Sequence, residues 1–235
     1  LIEALPRLMA RAVSPAVSDW YAGLHTGHGV RLMLSTGVTG FSGVDGRVTA
    51  VETSQGPVAA DLVIVGVGVI PNDDLARACG LDCDRGVIVD DCSATSDPAI
   101  VALGDCTARR LADGSLLRLE SVQNAIEQAK SAAARLMGKE RRFTATPWFW
   151  SDQYDVKLQM AGLSAGHDRT VTLGSPDDGR FSILYWRAGR LVACDSLNRP
   201  QDHMAARKLL DRGTDLTAEE AADPAFDLAA RARAG

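Results

Sequence analysis

The chain has 235 residues, of which 46% are hydrophobic and 23% are charged, and this composition is ordinary for a globular protein of one or two domains. Its formal net charge of -5 argues against a nucleic-acid-binding protein, which needs a basic face. No apolar run is long enough to span a bilayer, so no membrane segment is expected. The five cysteines form no C-x-x-C pair, so we expect free thiols in a reducing cytoplasm and no zinc site.

The first part of the chain alternates helix and strand signals. A helix is predicted over residues 13–28, because Ser14 is a suitable N-cap and Pro15 fits the first helical position. A short strand is predicted over residues 30–34.

A hairpin and a buried strand are predicted next. Asp45 and Gly46 favour a type I′ turn, and residues 48–53 alternate as its return strand. Residues 61–68 form a continuous apolar run that ends in glycines, which predicts a parallel strand covered on both faces.

The middle of the chain predicts further strands and helices. Residues 71–78 suggest a short helix that ends before Gly80, and residues 86–89 and 100–103 suggest two strands.

The clearest helical pattern in the chain covers residues 121–137 and ends at Gly138. It has one apolar stripe, formed by Val122, Ala125, Ile126, Ala129, Ala133 and Leu136.

The pattern changes after Pro147. Candidate strands lie at residues 157–161, 170–173, 181–186 and 191–195. Two helices are predicted after them, near residues 200–212 and 218–233. Antiparallel strands followed by helices indicate a separate α+β domain.

Gly104 and Asp105 are the strongest local candidates for a binding site. They follow an apolar segment, and a glycine without a β-carbon lets a ligand approach the backbone. A carboxylate at the carboxyl edge of an α/β sheet can accept hydrogen bonds from sugar-like hydroxyls. The alternative is an ordinary turn, in which both residue types are common.

Three segments, in this order, carry a family resemblance. Residues 95–105 resemble the second FAD fingerprint of glutathione-reductase-like flavoproteins. Together with residues 118–125 and the Trp-Phe-Trp-Ser-Asp-Gln block at 148–153, they resemble the ferredoxin reductases of the putidaredoxin, rubredoxin and biphenyl-dioxygenase type. The resemblance covers essentially the whole chain and matches the C-terminal portion of such enzymes, beginning partway through the nucleotide-binding domain.

The resemblance implies an FAD site. Asp105, beside Gly104, would hold the ribityl chain, and the backbone at Val122, after Ser121, would contact the flavin. The N-terminus of a helix carries partial positive charge, which would stabilise a reduced flavin.

The resemblance also makes Glu120 and Trp150 the candidate catalytic residues, with Trp150 beside the flavin ring. The alternative for the tryptophans is packing at a domain interface.

The resemblance implies an NADH site as well. Glu3 would bind the adenosine ribose hydroxyls and favour NADH over NADPH. Arg11 matches a position near the cofactor, although an arginine here, or the nearby Arg7, could accommodate a 2′-phosphate. Gly66 and Gly68 would permit close approach of the nicotinamide, or would form a tight turn between domains.

The expected fold is α/β, part of a flavoprotein with two dinucleotide-binding domains and a C-terminal α+β domain. Residues 1–68 would be the later part of the NAD domain, 69–146 a later segment of the FAD domain, and 147–235 the reductase domain.

The expected activity is electron transfer from NADH through FAD to a [2Fe–2S] ferredoxin or a rubredoxin that serves an oxygenase. The partner would dock near Trp150, with Lys130 as the best single contact. The other basic residues considered for this surface are Arg135, Arg187, Arg190 and Arg199. Alternatives are a flavin-dependent disulfide reductase or NADH oxidase, and a non-catalytic protein like apoptosis-inducing factor.

Overall fold

The computed structural model describes residues 1–111 and 113–234. The chain divides into two compact units, Leu1–Gly68 and Val69–Gly235.

The first unit contains one helix, α1 (Pro15–Gly27), as the sequence predicts. Ser14 caps it by accepting a hydrogen bond from the Val17 amide. Arg7 fastens the preceding loop, because its guanidinium donates to the carbonyl of Val13 and to the Ser18 hydroxyl, both at 2.7 Å. Arg7 is therefore engaged within its own unit.

Three antiparallel strands complete this unit, in the order β1 (Val38–Val44), β2 (Arg47–Thr53) and β3 (Val58–Ala59). Asp45 and Gly46 join β1 to β2 with φ angles of 51° and 76°. Both values are positive, as a type I′ turn requires, so the predicted hairpin is confirmed.

Two strand predictions in this unit are wrong. Within residues 30–34, only Met33 pairs, through a parallel bridge to Ile2. Residues 61–68 form no strand, and Ile64 and Val67 are 89% and 81% exposed. A buried parallel strand requires neighbouring strands and covering layers, and the described strands of this unit do not pair with the run.

The second unit begins with short elements. They are α2 (Asp74–Ala78), β4 (Val87–Val89), β5 (Thr107–Arg110) and β6 (Leu116–Leu117). The strands form a sheet in the order β4-β5-β6, parallel in the first pair and antiparallel in the second. The predicted α2 and β4 are confirmed.

The predicted strand at residues 100–103 is wrong, because only Val101 pairs, through an isolated bridge to Ala94. Side chains close the loop between these two residues. Thr95 Oγ1 donates to the carbonyl of Ile100 at 3.0 Å, and Asp97 accepts from the amide of Ala99 at 2.8 Å. Such local bonds compete with strand ladders.

The long helix α3 (Val122–Leu136) is confirmed, but its buried face is polar. The predicted apolar stripe faces outward in this unit, and Val122, Ile126 and Leu136 are all exposed. The buried side chains are those of Gln123, Asn124, Gln128, Ser131 and Ala132.

The C-terminal α+β domain is confirmed. Its five-stranded antiparallel sheet has the order β7-β8-β11-β10-β9. The strands are β7 (Trp148–Gln153), β8 (Val156–Gly162), β9 (Arg169–Ser175), β10 (Arg180–Arg187) and β11 (Arg190–Leu197). The sequence predicted four of these strands and missed β7.

Helix α4 (Pro200–Arg212) packs on one face of this sheet, over a core that includes Leu184, Trp186 and Leu209. The single helix predicted over residues 218–233 is instead two helices, α5 (Ala218–Ala221) and α6 (Leu228–Ala234). Pro224 lies in the break, where its missing amide and its ring are incompatible with a helix interior. None of the described helices has the length and apolar character needed to cross a membrane.

Candidate functional site

A cavity of about 570 Å³ in the second unit brings together most of the predicted flavin contacts. Its lining includes Asp105, Glu120, Ser121, Val122, Phe149 and Trp150. These residues come from the loop before β5, the start of α3 and the strand β7. Three segments that are separate in sequence therefore form one site.

The Gly104–Asp105 corner forms one wall of this cavity. Gly104 has a φ of 82°, in the left-handed region that favours glycine. Its buried amide donates to Oε1 of Gln128 at 2.6 Å, and its carbonyl accepts from Thr107 Oγ1 at 2.8 Å. The backbone is thereby held while the Asp105 side chain stays exposed at the cavity.

The start of α3 forms a second wall. Ser121 caps the helix, with its Oγ accepting from the Asn124 amide at 3.1 Å. Glu120 pairs with Arg118 at 2.7 Å, and Arg118 Nε also donates to the carbonyl of Asp105 at 3.3 Å. The first amides of α3 carry partial positive charge, so this wall can accept a ligand group with negative charge.

Strand β7 forms the third wall, through Phe149 and Trp150. Trp148 and Trp150 lie on the same face of the strand, with ring centroids 5.7 Å apart and an interplanar angle of 31°. The guanidinium of Arg207 lies 4.5 Å above the Trp148 ring, an arrangement typical of a cation–π contact. Trp150 is 46% exposed, so a ligand in the cavity can reach its ring.

His203, on α4, contacts Trp148. Its ring lies edge-on to Trp148 at 5.7 Å, and it is 1% exposed. Neither of its ring nitrogens has a hydrogen-bond partner among the described residues. Burial, and secondarily the charge of Arg207, lower the pKa of His203 to about 4. No pattern in the sequence points to His203 or Arg207, because their contacts with Trp148 depend on how α4 packs against β7.

The predicted NADH contacts lie in the first unit, where Arg11 and Gly68 are neighbours. A β-carbon built on Gly68 would lie 3.3 Å from Nη2 of Arg11, and Gly68 has a φ of 95°. Gly66 instead lines an apolar groove of about 640 Å³ that does not include Glu3 among its lining residues. Glu3 is half-buried, and its Oε1 accepts from the amide of Leu5 at 2.9 Å.

Four of the five basic residues predicted for docking have local partners. Lys130 pairs with Glu127 at 2.6 Å, and Arg199 pairs with Asp202 at 2.6 Å. Arg135 and Arg187 donate to backbone carbonyls at 3.3 and 3.4 Å. Part of the charge on these side chains is compensated, and their role in docking stays a prediction.

The described residues contain no group of three or more side chains suited to binding a metal. The five cysteines are free. None of them lines the cavity beside Asp105.

Comparisons with known proteins agree with the resemblance. Residues 1–129 match the model of the pyridine nucleotide-disulphide oxidoreductase family, and residues 148–232 match a reductase C-terminal domain. Rhodocoxin reductase from Rhodococcus erythropolis is 49% identical over 230 residues, which are 97% of this chain and 54% of that protein.

Two solved structures share the fold over nearly all of the chain. The ferredoxin reductase for the CYP199A2 system of Rhodopseudomonas palustris has a TM-score of 0.94 and 45% identity, covering 98% of this chain and 58% of its own. Putidaredoxin reductase in its covalent complex with putidaredoxin has a TM-score of 0.93 and 39% identity, and the match covers 100% of this chain and 58% of the reductase chain. The chain spans about half the length of the curated relatives that it matches. The predicted fold class, a flavoprotein fold with two dinucleotide-binding domains, is confirmed.

Proposed function

Since the chain belongs to the pyridine nucleotide-disulphide oxidoreductase family, we propose that it functions in an NADH-dependent ferredoxin reductase that uses FAD and serves an oxygenase. The cavity that gathers Asp105, the first turn of α3 and Trp150 is the observation that carries this proposal. The names of its relatives support it, because rhodocoxin reductase matches 97% of the chain.

The residues of the cavity fit a flavin. The Asp105 carboxylate can accept hydrogen bonds from the ribityl hydroxyls, and the first turn of α3 can accommodate negative charge on the pyrimidine edge. Arg118 supports this assignment, because its Nη2 is buried without a hydrogen-bond partner among the described residues. Trp150 would flank the ring. Its presence in the lining of the same cavity as Asp105 supports that role.

Bound FAD would supply the chemistry that joins a hydride donor to a one-electron acceptor. The contribution of the chain is to bind and orient. In the first unit, Glu3 would accept hydrogen bonds from the ribose of NADH and repel a 2′-phosphate. Arg7 is engaged by Val13 and Ser18, which favours Arg11, beside Gly68, as the cation that would lie near the nucleotide.

The predicted partner is a small acidic [2Fe–2S] ferredoxin, or a rubredoxin, that docks near Trp150. Free thiols support a cytoplasmic location, where the cell keeps cysteines reduced.

Reversing the charge of Lys130 should slow electron transfer to ferredoxin. In the full-length protein, we expect Lys130→Glu to lower the rate of ferredoxin reduction at low salt by about three- to tenfold, because the local charge steers the encounter. The rate of wild type should also fall as salt increases. NADH-driven ferricyanide reduction should be unchanged, since it requires no docking.

Lys139→Glu is the matched control, because it makes the same change of charge beyond the other end of α3. The 15 residues of α3 span about 22 Å, so Lys139 lies far from the first turn. If both variants slow ferredoxin reduction equally, or neither does, Lys130 is not part of the docking surface.

A further inference from the structure

Helix α3 holds the walls of the cavity through two buried amide side chains one turn apart. Asn124 and Gln128 are each 2% exposed, and the Asn124 amide donates to Gln128 Oε1 at 3.4 Å. Residues four apart lie on the same face of a helix, so these two amides form one buried polar strip. Neither side chain lines the cavity itself.

Gln128 holds the wall that carries Asp105. Its Oε1 accepts from the Gly104 amide at 2.6 Å, and its Nε2 donates to Thr107 Oγ1 at 3.0 Å. The Thr107 hydroxyl in turn lies 2.8 Å from the carbonyl of Gly104, to which it can donate. Both backbone groups of Gly104 are thus bound within one network that is anchored on α3.

Asn124 holds the wall formed by the start of α3. Its Nδ2 donates to the carbonyl of Leu119 at 3.0 Å, and its backbone amide donates to the Ser121 hydroxyl. This fixes the segment that carries Glu120. A single rigid helix therefore connects both walls, and the length of the Gln128 side chain sets the separation between Gly104 and α3.

We propose that Gln128 is a positioning residue for the flavin site, which fixes the Asp105 carboxylate relative to the first turn of α3. The role rests on the proposed function, because it assigns the ligand of the cavity as FAD. Gln128 lies six residues after Val122, or about 9 Å along the helix. Gln128 acts through Gly104. It aligns the Asp105 carboxylate, which is a hydrogen-bond acceptor, with the first turn of α3, which carries partial positive charge.

If Gln128 served only the stability of the fold, replacing it would affect FAD binding no more than replacing another buried polar residue of α3. Ser131 is that other residue and distinguishes the two roles. Ser131 is 1% exposed on the same face of α3, and its hydroxyl donates to the carbonyl of Asp91 at 3.1 Å and also contacts the carbonyl of Arg141. Neither Asp91 nor Arg141 lines the cavity. Ser131→Ala thus removes a buried polar link of α3 and leaves both walls in place.

The test compares Gln128→Met, Thr107→Val and Ser131→Ala in the full-length protein. Met keeps the length of glutamine without its amide, and Val keeps the shape of threonine without its hydroxyl. Three quantities are measured. They are the deuterium exchange of the peptide containing Gly104 in protein without flavin, the Kd for FAD, and the midpoint potential of bound FAD. A change in stability alone would not shift the potential.

We expect Gln128→Met to accelerate exchange at Gly104 and to raise the Kd for FAD, each by about tenfold, and to shift the potential. Thr107→Val should act in the same direction. Ser131→Ala should lower the Tm but keep exchange at Gly104 and the Kd within about twofold of wild type. Equal effects of Gln128→Met and Ser131→Ala on the Kd and the potential would overturn the positioning role.

Failure of the proposed function would look different. A full-length wild type that binds no FAD would refute the flavin site. Exchange at Gly104 would still decide whether Gln128 holds the corner, and unchanged exchange in Gln128→Met would refute that contact.

Discussion

Replacing Asp105 by alanine in the full-length protein is expected to weaken FAD binding by roughly ten- to a hundredfold. The reason is the loss of hydrogen bonds to a charged group, which contribute about 1.5–3 kcal/mol. Asp105 lies on the cavity wall, and its backbone is held through Gly104, so the loss should not be recovered by movement of the loop.

The measurement is a titration of the flavin-free protein with FAD, followed by fluorescence. Asp84→Ala is the control, because Asp84 is an exposed aspartate of the same unit that does not line the cavity. The control should bind FAD as wild type does. An unchanged Kd in Asp105→Ala would remove this residue from the flavin site.

His203 should make the stability of the protein depend on pH. Its pKa is about 4 in the folded state and about 6.5 when unfolded. Between these values the unfolded chain binds a proton that the folded chain does not, so the unfolding free energy falls as the pH falls. The unfolding free energy is not reduced by this effect above about pH 6.5, and it is about 3 kcal/mol lower at pH 4.

Asp195 opposes this effect. It is buried beside Tyr185, which donates to it at 2.7 Å, and burial raises its pKa to about 7. Between its unfolded value and pH 7 the folded state binds the extra proton, so its contribution to stability grows as the pH falls. The pH profile of wild type alone therefore cannot isolate His203.

The His203→Phe variant isolates the contribution of this residue. Phenylalanine keeps an aromatic ring against Trp148 and cannot be protonated, and neither nitrogen of His203 has a described partner to lose. Relative to wild type, the variant should gain about 2 kcal/mol of unfolding free energy between pH 7.5 and pH 5, measured by urea denaturation of the full-length protein.

A difference between His203→Phe and wild type that is the same at both pH values would show that His203 does not titrate as the structure implies.

Local signals predicted the local elements of this chain. Asp45 and Gly46 specify a turn by their own conformational preferences, and Ser121 specifies the start of α3 by capping it. Residues 61–68 could not be placed in the same way, because the burial of an apolar run depends on which strands pair with it. Pro224, by contrast, was a readable signal for the break between α5 and α6.

Some residues of the candidate site could likewise be predicted from the sequence, and others could not. Asp105 was a candidate from its own position after an apolar segment and Gly104, whereas Trp150 was predicted from family resemblance, and the structure places both on one cavity. Gln128 was missed because its contact with Gly104 spans 24 residues and because a polar residue on an amphipathic helix is expected to face solvent. The sequence pattern of α3 indicated an apolar and a polar face, but it did not indicate which face would be buried in this unit. The only available signal was the pair of amides at Asn124 and Gln128, one turn apart.

The most direct test of the proposed function is the reduction of ferredoxin by the FAD-loaded full-length protein, with NADH and NADPH compared as donors. The assay would use a panel of [2Fe–2S] ferredoxins that includes putidaredoxin, followed spectroscopically without oxygen. We predict sustained ferredoxin reduction, with kcat/KM higher for NADH than for NADPH by about tenfold or more, equivalent to about 1.4 kcal/mol at Glu3. Reduction of the flavin by NADH without electron transfer to any ferredoxin would contradict the proposed function, and equal efficiency with both donors would contradict the role of Glu3.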